Sequence, residues 1–355
     1  MAGRGSGRGG APEGVVPLTG FELPTLKRIP ADGDDPGSGD TPTGLKTASG
    51  LARLLTLPKI GNARALRLAE HFGEWERLAA ADPGEIREVL GAGYKDDPEG
   101  VVVAAQGSRR PVDLPPDVRV LGCFDADWPT WLRGISAPPV VIFVKGSLPV
   151  PGSVAVVGTR SPTRFGIAVV EKVVDSAAAH GRGIVSGLAL GIDAAAHERA
   201  LRSGALTWAI LGGGVDVPTP TENRDLAERI LEAGGGLISE QLPGSKPNPQ
   251  RLLNRNRLQS AASEVVVVAQ CGIPSGTLHT ARYAIEQGRR LAVPRPRPPW
   301  DEEPQSAGNL ALTDPVGCDP ARLGVRGTLA DTLRERRPIA DDVLSDAADI
   351  ERLWE

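Results

Sequence analysis

Short apolar runs alternate with longer amphipathic stretches through the second half of the chain, from Val154 onward. Apolar runs bounded by turn residues favour strands buried on both faces, and the stretches between them favour crossover helices. The predicted strands are Val154–Val157, Gly183–Ser186, Leu206–Leu211, Gly236–Ser239, Glu264–Ala269 and Arg290–Val293. The predicted helices are Gly166–His180, Ala194–Arg202, Asn223–Ala233, Leu252–Ser260 and Gly276–Gln287. This alternation predicts an α/β fold with a Rossmann-like, doubly wound, mainly parallel sheet.

The first half of the chain and its last segment lack this alternation. One strand candidate, Val140–Val144, precedes the alternating region, and apolar residues after Thr328 have loosely helical spacing. Gly, Pro, Asp and Thr dominate the N-terminal segment, a composition typical of disorder. The sequence therefore predicts a disordered N-terminal tail at 1–44, a small helical domain at 45–92, a connecting region at 93–150 that leads into the core, a Rossmann-like domain at 151–312, and an acidic C-terminal tail at 313–355.

The helical segment contains the stretch Leu57-Pro58-Lys59-Ile60-Gly61-Asn62-Ala63-Arg64. This stretch resembles the hairpin of a helix-hairpin-helix (SAM-like) module, in which a glycine turn offers backbone N–H groups to a DNA phosphate. An ordinary helix–turn–helix pair in a small bundle explains the same residues. Both interpretations stay open at the level of the sequence.

Composition narrows the function classes. No apolar run is long enough to cross a membrane, and the Arg/Gly-rich N-terminus lacks the apolar core of a secretory signal. Cys123, Cys271 and Cys318 lie too far apart for a disulfide framework or a zinc site, so we expect a reducing cytoplasm and no metal. The net charge is −4, yet the segment from Lys246 to Arg257 carries four basic residues and no acid. A basic patch on an acidic protein can still attract a polyanion.

Glycine turns follow most of the predicted strands. Such strand–glycine–helix junctions aim backbone N–H groups and a helix dipole at one point, which suits a phosphate. They do not match the dinucleotide fingerprint, because Gly158 is followed by Thr159-Arg160-Ser161 and no acidic residue stands near Ser186. We therefore expect no NAD and no other cofactor.

These turns carry a resemblance to a known family. From Asp127 to about Leu312 the chain resembles the DNA-processing protein A family (DprA, also called Smf) in both the order and the spacing of its motifs. The matching residues are Val154-Ala155-Val156-Val157-Gly158-Thr159-Arg160, Phe165-Gly166, Ser186-Gly187-Leu188-Ala189, Gly191-Ile192-Asp193, Ala196-His197, Pro220, Glu222-Asn223, Ser239-Glu240, Arg255-Asn256-Arg257, Ser275-Gly276-Thr277, Thr280-Ala281 and Ser306-Ala307-Gly308-Asn309.

The resemblance implies a Rossmann-like domain that binds single-stranded DNA, forms a homodimer and helps to load a RecA-type recombinase in natural transformation. It implies no catalytic residues and no membrane association. By the motif match, the DNA-binding residues are Gly158, Thr159, Arg160, Ser186, Gly187, Lys246, Asn254, Arg255, Asn256, Arg257, Ser275, Gly276 and Thr277. We expect Arg160 and Arg255 to be exposed and to contact one phosphate backbone, with no acidic residue near Asn254–Arg257 in the sequence, whereas Arg257 could instead turn inward onto its helix.

The chain departs from the family pattern at several positions. Leu252-Leu253 stand where the family usually has Phe-Pro, so an aromatic stack on a base is missing. Arg295 replaces a glycine after the last strand, and Gln270 stands where an acid is expected. The C-terminal segment is too short and acidic for the full winged helix that many members carry. These departures bear on DNA affinity and partner choice.

An enzyme is the alternative hypothesis. Pro274-Ser275-Gly276-Thr277 resembles the phosphate turn of phosphoribohydrolases of this general fold, so a nucleotide-binding protein or nucleotide N-glycosidase fits part of the pattern. Glu222 or Glu240 would have to supply the catalytic carboxylate. Asp193 and His197, four residues apart on one helix face, could form an acid–base pair or serve as two metal ligands. The competing interpretation is that Asp193 caps the helix and His197 packs against a neighbouring loop.

Overall fold

The computed structural model describes residues 44–108, 112–314, 319, 321 and 338–355. The predicted N-terminal tail therefore lies outside the described residues, apart from Gly44. The same holds for much of the predicted C-terminal tail, including the segment from Thr328 to Leu333.

A bundle of short helices opens the described part of the chain. Its members are α1 (Ala48–Leu54), α2 (Asn62–Phe72), α3 (Trp75–Ala79), α4 (Pro83–Leu90) and α5 (Pro98–Gly107). Asp82 and Asp97 cap α4 and α5 by accepting backbone N–H groups, and a proline follows each cap at the first helical position. Leu51, Leu68 and Trp75 are buried between the helices, as their helical spacing predicts.

A nine-stranded sheet forms the centre of the rest of the molecule. Its strands are β1 (Val118–Gly122), β2 (Val141–Gly146), β3 (Val154–Gly158), β4 (Ile184–Ser186), β5 (Thr207–Ile210), β6 (Gly236–Ser239), β7 (Val265–Gln270), β8 (Arg290–Pro294) and β9 (Asp342–Leu344). They lie in the order β1-β2-β6-β5-β4-β3-β7-β8-β9. The pairs β1–β2 and β2–β6 are antiparallel, and the other pairs are parallel.

Helices cover both faces of this sheet. They are α6 (Arg164–Ala179), α7 (Ile192–Arg202), α8 (Arg224–Glu232), α9 (Pro249–Ala261), α10 (Thr277–Glu286), α11 (Ala307–Thr313) and α12 (Ala347–Glu351). Val154 and Val156 of β3 belong to the core beneath α6 and α7, whereas Ala155 and Val157 belong to the core beneath α9 and α10. Each face of the central strand is thus buried, which explains its continuous apolar run.

The first strand of the alternating region, β3, lies between β4 and β7. The chain builds the sheet outward from β3 through β4, β5 and β6, and then crosses to β7 on the other side of β3. This reversal is a topological switch point, where parallel sheets open a crevice at the carboxyl ends of their strands. We therefore expect a binding site at the carboxyl ends of β3, β4 and β7.

The predicted fold class is confirmed, and every predicted strand and helix of the alternating region is present with small shifts at its ends. Sequence reasoning missed β1 and β9. Residues 338–355 supply β9, whose Asp342 accepts hydrogen bonds from the Arg290 guanidinium at 2.7 and 2.9 Å. They also supply α12, followed by Trp354, whose indole N–H donates to Ser176 on α6 at 2.7 Å. Across the described ranges, no helix is long and apolar enough to cross a membrane.

Candidate functional site at the carboxyl edge of the sheet

Turns from five neighbouring strands lie side by side at the carboxyl edge of the sheet. In sheet order, they follow β6 at Glu240, β5 at Gly212–Gly214, β4 at Gly187–Gly191, β3 at Thr159–Ser161 and β7 at Cys271–Gly276. The residues predicted to bind DNA lie in these turns, at the strand and helix ends that border them, or in the loop and helix that follow β6. The structure therefore brings them to one edge, although it does not expose them all.

The turn after β3 is held tightly by its neighbours. The Thr159 N–H donates to the Gln270 carbonyl at 2.8 Å, and the Thr159 carbonyl accepts the Ile192 N–H at 3.1 Å. A Cβ on Gly158 would stand 2.5 Å from the Ile192 side chain, so glycine is needed for α7 to pack this closely. Arg160 is exposed, and its side chain has no hydrogen bond or ion pair with any described residue.

Gln270 shows why an amide can replace the expected acid. Its Oε1 accepts the Thr163 N–H at 2.9 Å, and its Nε2 donates to the hydroxyls of Thr163 at 2.9 Å and Ser306 at 3.1 Å. The amide satisfies all these partners, because it accepts the backbone N–H through its oxygen and donates to both hydroxyls through its nitrogen. The side chain thus fixes the entry to α6 beside the switch point.

The predicted phosphate turn Ser186-Gly187 faces the protein interior. The Ser186 hydroxyl donates to the Val156 carbonyl at 2.7 Å. With the Gln259 amide oriented so that both its polar atoms find partners, Gln259 Oε1 accepts the Gly187 N–H at 3.0 Å. A Cβ on Gly187 would stand 1.4 Å from Nη1 of Arg255, so this glycine makes room for a guanidinium. Its N–H is not available to an external anion.

Arg255 is a buried cation, contrary to the prediction that it is exposed without an acidic partner. It lies in the middle of α9, and only 6% of its surface is exposed. Its Nη1 donates to the Ile210 carbonyl at 2.8 Å, and its Nη2 lies 3.6 Å from Oδ2 of Asp193. Burial lowers the pKa of Arg255 from its ordinary value and raises that of Asp193, while the attraction between the two charges opposes both shifts.

Arg257 is likewise buried and paired. Its two terminal nitrogens donate to the two carboxylate oxygens of Glu240, each at 2.7 Å, in a bidentate pair. Its Nε donates to the Ala137 carbonyl at 2.9 Å. Asn62, the first residue of α2, donates to the same carboxylate at 3.1 Å and accepts the Val140 N–H at 3.2 Å. The ion pair thereby joins the predicted hairpin of the helical bundle to the sheet.

Asp193 and His197 do not form a pair. Asp193 is the second residue of α7 rather than its cap, and it accepts the Ala189 N–H at 3.4 Å. Nδ1 of His197 lies 2.7 Å from the Thr207 hydroxyl, which itself donates to the Ile184 carbonyl. Burial and the nearby Arg255 charge lower the pKa of His197 to about 3, so the imidazole is neutral at neutral pH. The competing, structural interpretation fits the burial of both side chains, except that Asp193 is not a cap and His197 contacts strand β5 rather than a loop.

The turn after β7 is tied to α9 through Asn256. Its Nδ2 donates to the Gly276 carbonyl at 3.1 Å, and the Thr277 N–H donates to the Ser275 hydroxyl at 3.2 Å. Asn256 and Thr277 are buried, whereas Gly276 is exposed. This part of the predicted set is therefore a packing contact between α9 and α10 with an exposed rim.

Three long polar side chains of the predicted set remain at the surface, those of Arg160, Lys246 and Asn254. The structure adds Arg164, which the sequence analysis missed. Arg164 is exposed at the first position of α6, and no hydrogen bond or ion pair to its side chain is present among the described residues. A cation is unfavourable at a helix N-terminus because the helix dipole is positive there. A basic residue opening a helix without an acidic partner is the signal that could have identified it.

A cleft of about 660 Å³ lies beside α9, between the helical bundle and the sheet. Asn62 borders it on one side, and Trp128, Asn254 and Tyr283 border it on the other. Its floor is the buried pair of Glu240 and Arg257. No group of three or more His, Cys, Asp and Glu side chains in the described ranges is arranged to hold a metal ion.

The fold and this edge define a class of protein: a Rossmann-like α/β protein, preceded by a helical bundle, with exposed cations at its switch point. The family model for DNA recombination-mediator protein A matches residues 119–315, more than half of the chain. The chain belongs to this family. A model for a SAM-like helix-hairpin-helix tandem matches residues 51–96, which supports the helix-hairpin-helix fold for the predicted hairpin.

Individual relatives agree with this assignment. The chain is similar to Protein Smf of Synechocystis, with 36% identity over 247 residues that cover 65% of this chain and 60% of the relative. It is 39% identical to DNA processing protein DprA of Bacillus subtilis over 207 residues, covering 57% of this chain and 64% of the relative. The chain thus spans less than two thirds of the length of these curated relatives. The X-ray structure of DprA from Streptococcus pneumoniae superimposes with a TM-score of 0.65 at 25% identity, covering 87% of this chain and 98% of that one.

Proposed function

We propose that this protein binds single-stranded DNA along the carboxyl edge of its sheet and acts in DNA processing and recombination. The observation that carries the proposal is the set of exposed cations Arg160, Arg164 and Lys246 along the carboxyl edge of the sheet, whose side chains make no hydrogen bond or ion pair with any described residue. Phosphate contacts supply most of the affinity of a sequence-independent DNA-binding protein. The overall charge of −4 does not oppose this, because the local field of a surface patch decides where a polyanion binds.

The buried residues Arg255 and Arg257 hold the turns of this edge in position. Arg255 fills the space beside Gly187 and holds the turns after β4 and β5, through Asp193 and the Ile210 carbonyl. Arg257 fixes Glu240 at the end of β6. In this proposal both residues position the DNA-binding turns, and their predicted direct contact with phosphate gains no support from their burial.

Two of the three carboxylates considered for catalysis are held against buried arginines, which favours a non-catalytic binding role. Glu240 is held by Arg257 and Asn62, and Asp193 is buried against Arg255. Glu222 is exposed at the start of a short 3-10 helix, and its neighbour Asn223 binds the Leu188 carbonyl at 2.8 Å. The names of the relatives given above are those of DNA-processing proteins and specify no catalytic activity.

The cellular context of the proposal rests on family membership rather than on geometry. It comprises a homodimer, a RecA-type recombinase as partner, action in the cytoplasm during natural transformation, and the domain division given by the sequence. None of these depends on a cofactor.

Fluorescence anisotropy with a labelled single strand tests the proposal. We expect the logarithm of affinity to fall with the logarithm of salt concentration at a slope of about −0.7 per phosphate contacted. Arg160→Ala and Arg164→Ala should each weaken binding about tenfold and flatten the slope by nearly one phosphate. Arg202→Ala is the matched control, because Arg202 is an exposed arginine at the far end of α7. Salt-independent binding, or equal losses for Arg160→Ala and Arg202→Ala, would contradict the proposal, as would tight binding of a free nucleoside monophosphate that competes with DNA.

A further inference from the structure

Large apolar side chains are exposed at few positions in the described part of the chain. They are Val103, Phe124, Val150, Leu190 and Ile273. Single exposed apolar residues are common on protein surfaces, so three of these need no explanation. Leu190 and Ile273 differ because both lie in the turns of the carboxyl edge, with 42% and 36% of their surfaces exposed.

These two side chains flank Arg160. Gly191, next to Leu190, packs so closely on the Thr159–Arg160 backbone that a Cβ there would stand 2.4 Å from the Thr159 carbonyl oxygen. On the other side, Ile273 lies in the turn whose first residue follows Gln270, the residue bonded to the Thr159 N–H. Leu190 therefore belongs to the turn on one side of Arg160, and Ile273 to the turn on the other.

Lys246 lies on the same edge, beyond Leu190. Its neighbour Ser245 accepts the Gly214 N–H at 2.8 Å, which holds the Lys246 loop against the turn after β5. Four side chains therefore follow one another along the edge, in the order of the strands: Lys246 beside β5, Leu190 after β4, Arg160 after β3 and Ile273 after β7. Adjacent strands are about 4.8 Å apart, so this row of alternating cationic and apolar groups spans about 14 Å.

We infer that Leu190 and Ile273 are base-contacting residues, which bury nucleobases between the phosphate contacts of Lys246 and Arg160. A single strand alternates charged phosphates with flat apolar base faces, and a duplex hides those faces within its stack. The aromatic side chain that many relatives place before the Arg-Asn-Arg stretch is absent here. Leu252, which stands in that region, is half-buried and packs against Gly212. The exposed aliphatic pair supplies the missing contact, and this inference rests on the proposed binding of single-stranded DNA.

Matched ligands separate base contact from phosphate contact. Affinity is measured for labelled oligothymidylate and for an abasic strand of equal length, which keeps the phosphates and lacks the bases. We expect Leu190→Ser and Ile273→Ser each to weaken oligothymidylate binding about threefold to tenfold. Binding of the abasic strand and the salt slope should stay at the wild-type values. Leu190→Phe should tighten oligothymidylate binding, because an aromatic ring stacks on any base.

Val150→Ser is the matched control, because Val150 is 42% exposed and precedes β3 at the opposite edge of the sheet. Arg160→Ala should weaken binding of both strands equally. If the wild type binds neither strand, the proposed function fails together with this inference. If the wild type binds and Arg160→Ala weakens binding, but Leu190→Ser matches Val150→Ser or weakens both strands equally, then the inference alone is overturned. Unchanged or weaker binding by Leu190→Phe counts against it as well.

Discussion

Arg160 and Arg255 carry the same charge, yet their surroundings give them different tasks. Arg160 is solvated and unpaired by any described residue, so it can exchange water for phosphate at little cost. Arg255 and Arg257 are buried, and a buried guanidinium is tolerated only when hydrogen bonds and an opposite charge surround it. Asp193 and Glu240 provide that charge. Burial therefore separates arginines that bind a ligand from arginines that hold the fold.

The Arg257–Glu240 pair makes this distinction measurable. Arg257→Met leaves Glu240 buried without its partner, which should lower the free energy of unfolding by about 3–5 kcal/mol in urea denaturation. The double variant Arg257→Met/Glu240→Leu should recover most of that loss, because it removes both buried charges. Arg160→Ala, the exposed control, should leave stability within about 0.5 kcal/mol of the wild type. A single variant as stable as the wild type would show that the pair is not buried as described.

His197 should make the protein sensitive to acid. Its pKa is about 3 in the folded state, against about 6.5 in the unfolded state, so the unfolded chain binds more protons between these values. Stability should therefore fall as the pH drops below about 6.5. Between pH 7.5 and 5.0 the wild type should lose about 2 kcal/mol more than His197→Gln. Asp193, whose raised pKa acts in the opposite direction, is common to both proteins. Parallel pH profiles of unfolding free energy for the two proteins would contradict this prediction.

At the scale of elements, α9 organises the carboxyl edge. Its side chains reach the turns after four strands. Leu252 packs on Gly212, Arg255 on Gly187, and Asn256 binds the Gly276 carbonyl. Arg257 pairs with Glu240 after β6. Glycine at 187 is required by this close approach and not by a left-handed backbone, since its φ is not positive. The glycine turns are thus places where helix and strand meet, with only part of their rim left for a ligand.

Two glycine replacements compare these roles. In Gly187→Ala the new methyl would overlap the Arg255 guanidinium, and neither the turn nor the buried ion pair can move freely. We expect a loss of several kcal/mol in unfolding free energy and weakened DNA binding, because the positioned turn is displaced. In Gly276→Ala the nearest atom is 3.7 Å away, so stability should change by less than about 1 kcal/mol. Equal thermal stability of the two variants would show that Arg255 can leave its place without cost.

At the scale of the whole molecule, segments distant in sequence complete the sheet. Antiparallel β1 and β2 extend it beyond β6, and β9 pairs with β8 at the other end. Ile339, Leu344, Ile350 and Leu353 of the last segment are buried against the sheet and α6. The C-terminal residues described here are part of the core and cover an edge strand that would otherwise be open to association.

Removal of residues 338–355 tests this arrangement. Fully burying an aliphatic side chain contributes about 1.5–3 kcal/mol, so the truncated protein should be less stable by several kcal/mol and should aggregate on warming. Removing Glu355 alone, which is exposed, should have no effect. Light scattering and thermal unfolding distinguish the two. A truncated protein that stays monodisperse with wild-type stability would show that β9 and α12 are not needed for the core.

Several features of the site could be predicted from the sequence, and others could not. The strand ends that carry Gly158, Gly187 and Gly276 were predictable because apolar runs and glycine turns are local signals. The direction in which Arg255 and Arg257 point was not. Their partners, Asp193 and Glu240, are 62 and 17 residues away in the chain, and only the crossing of α9 over the sheet brings them together. Arg164 was missed because a single exposed cation leaves no periodic pattern.

By itself, the sequence determined the elements and the class of the protein. Hydrophobic periodicity specifies which segments are strands and which are helices, because the buried faces of each element determine the spacing of its apolar residues. The motif order specifies the family. Only the tertiary structure decided which of the polar residues in the motifs face water. Burial and pairing of a side chain arise when elements distant in sequence pack together. Two charged residues that are two positions apart on a helix, such as Arg255 and Arg257, also point to different sides of it. That packing left Arg160, Arg164 and Lys246 exposed beside Leu190 and Ile273, and it enclosed Arg255 and Arg257.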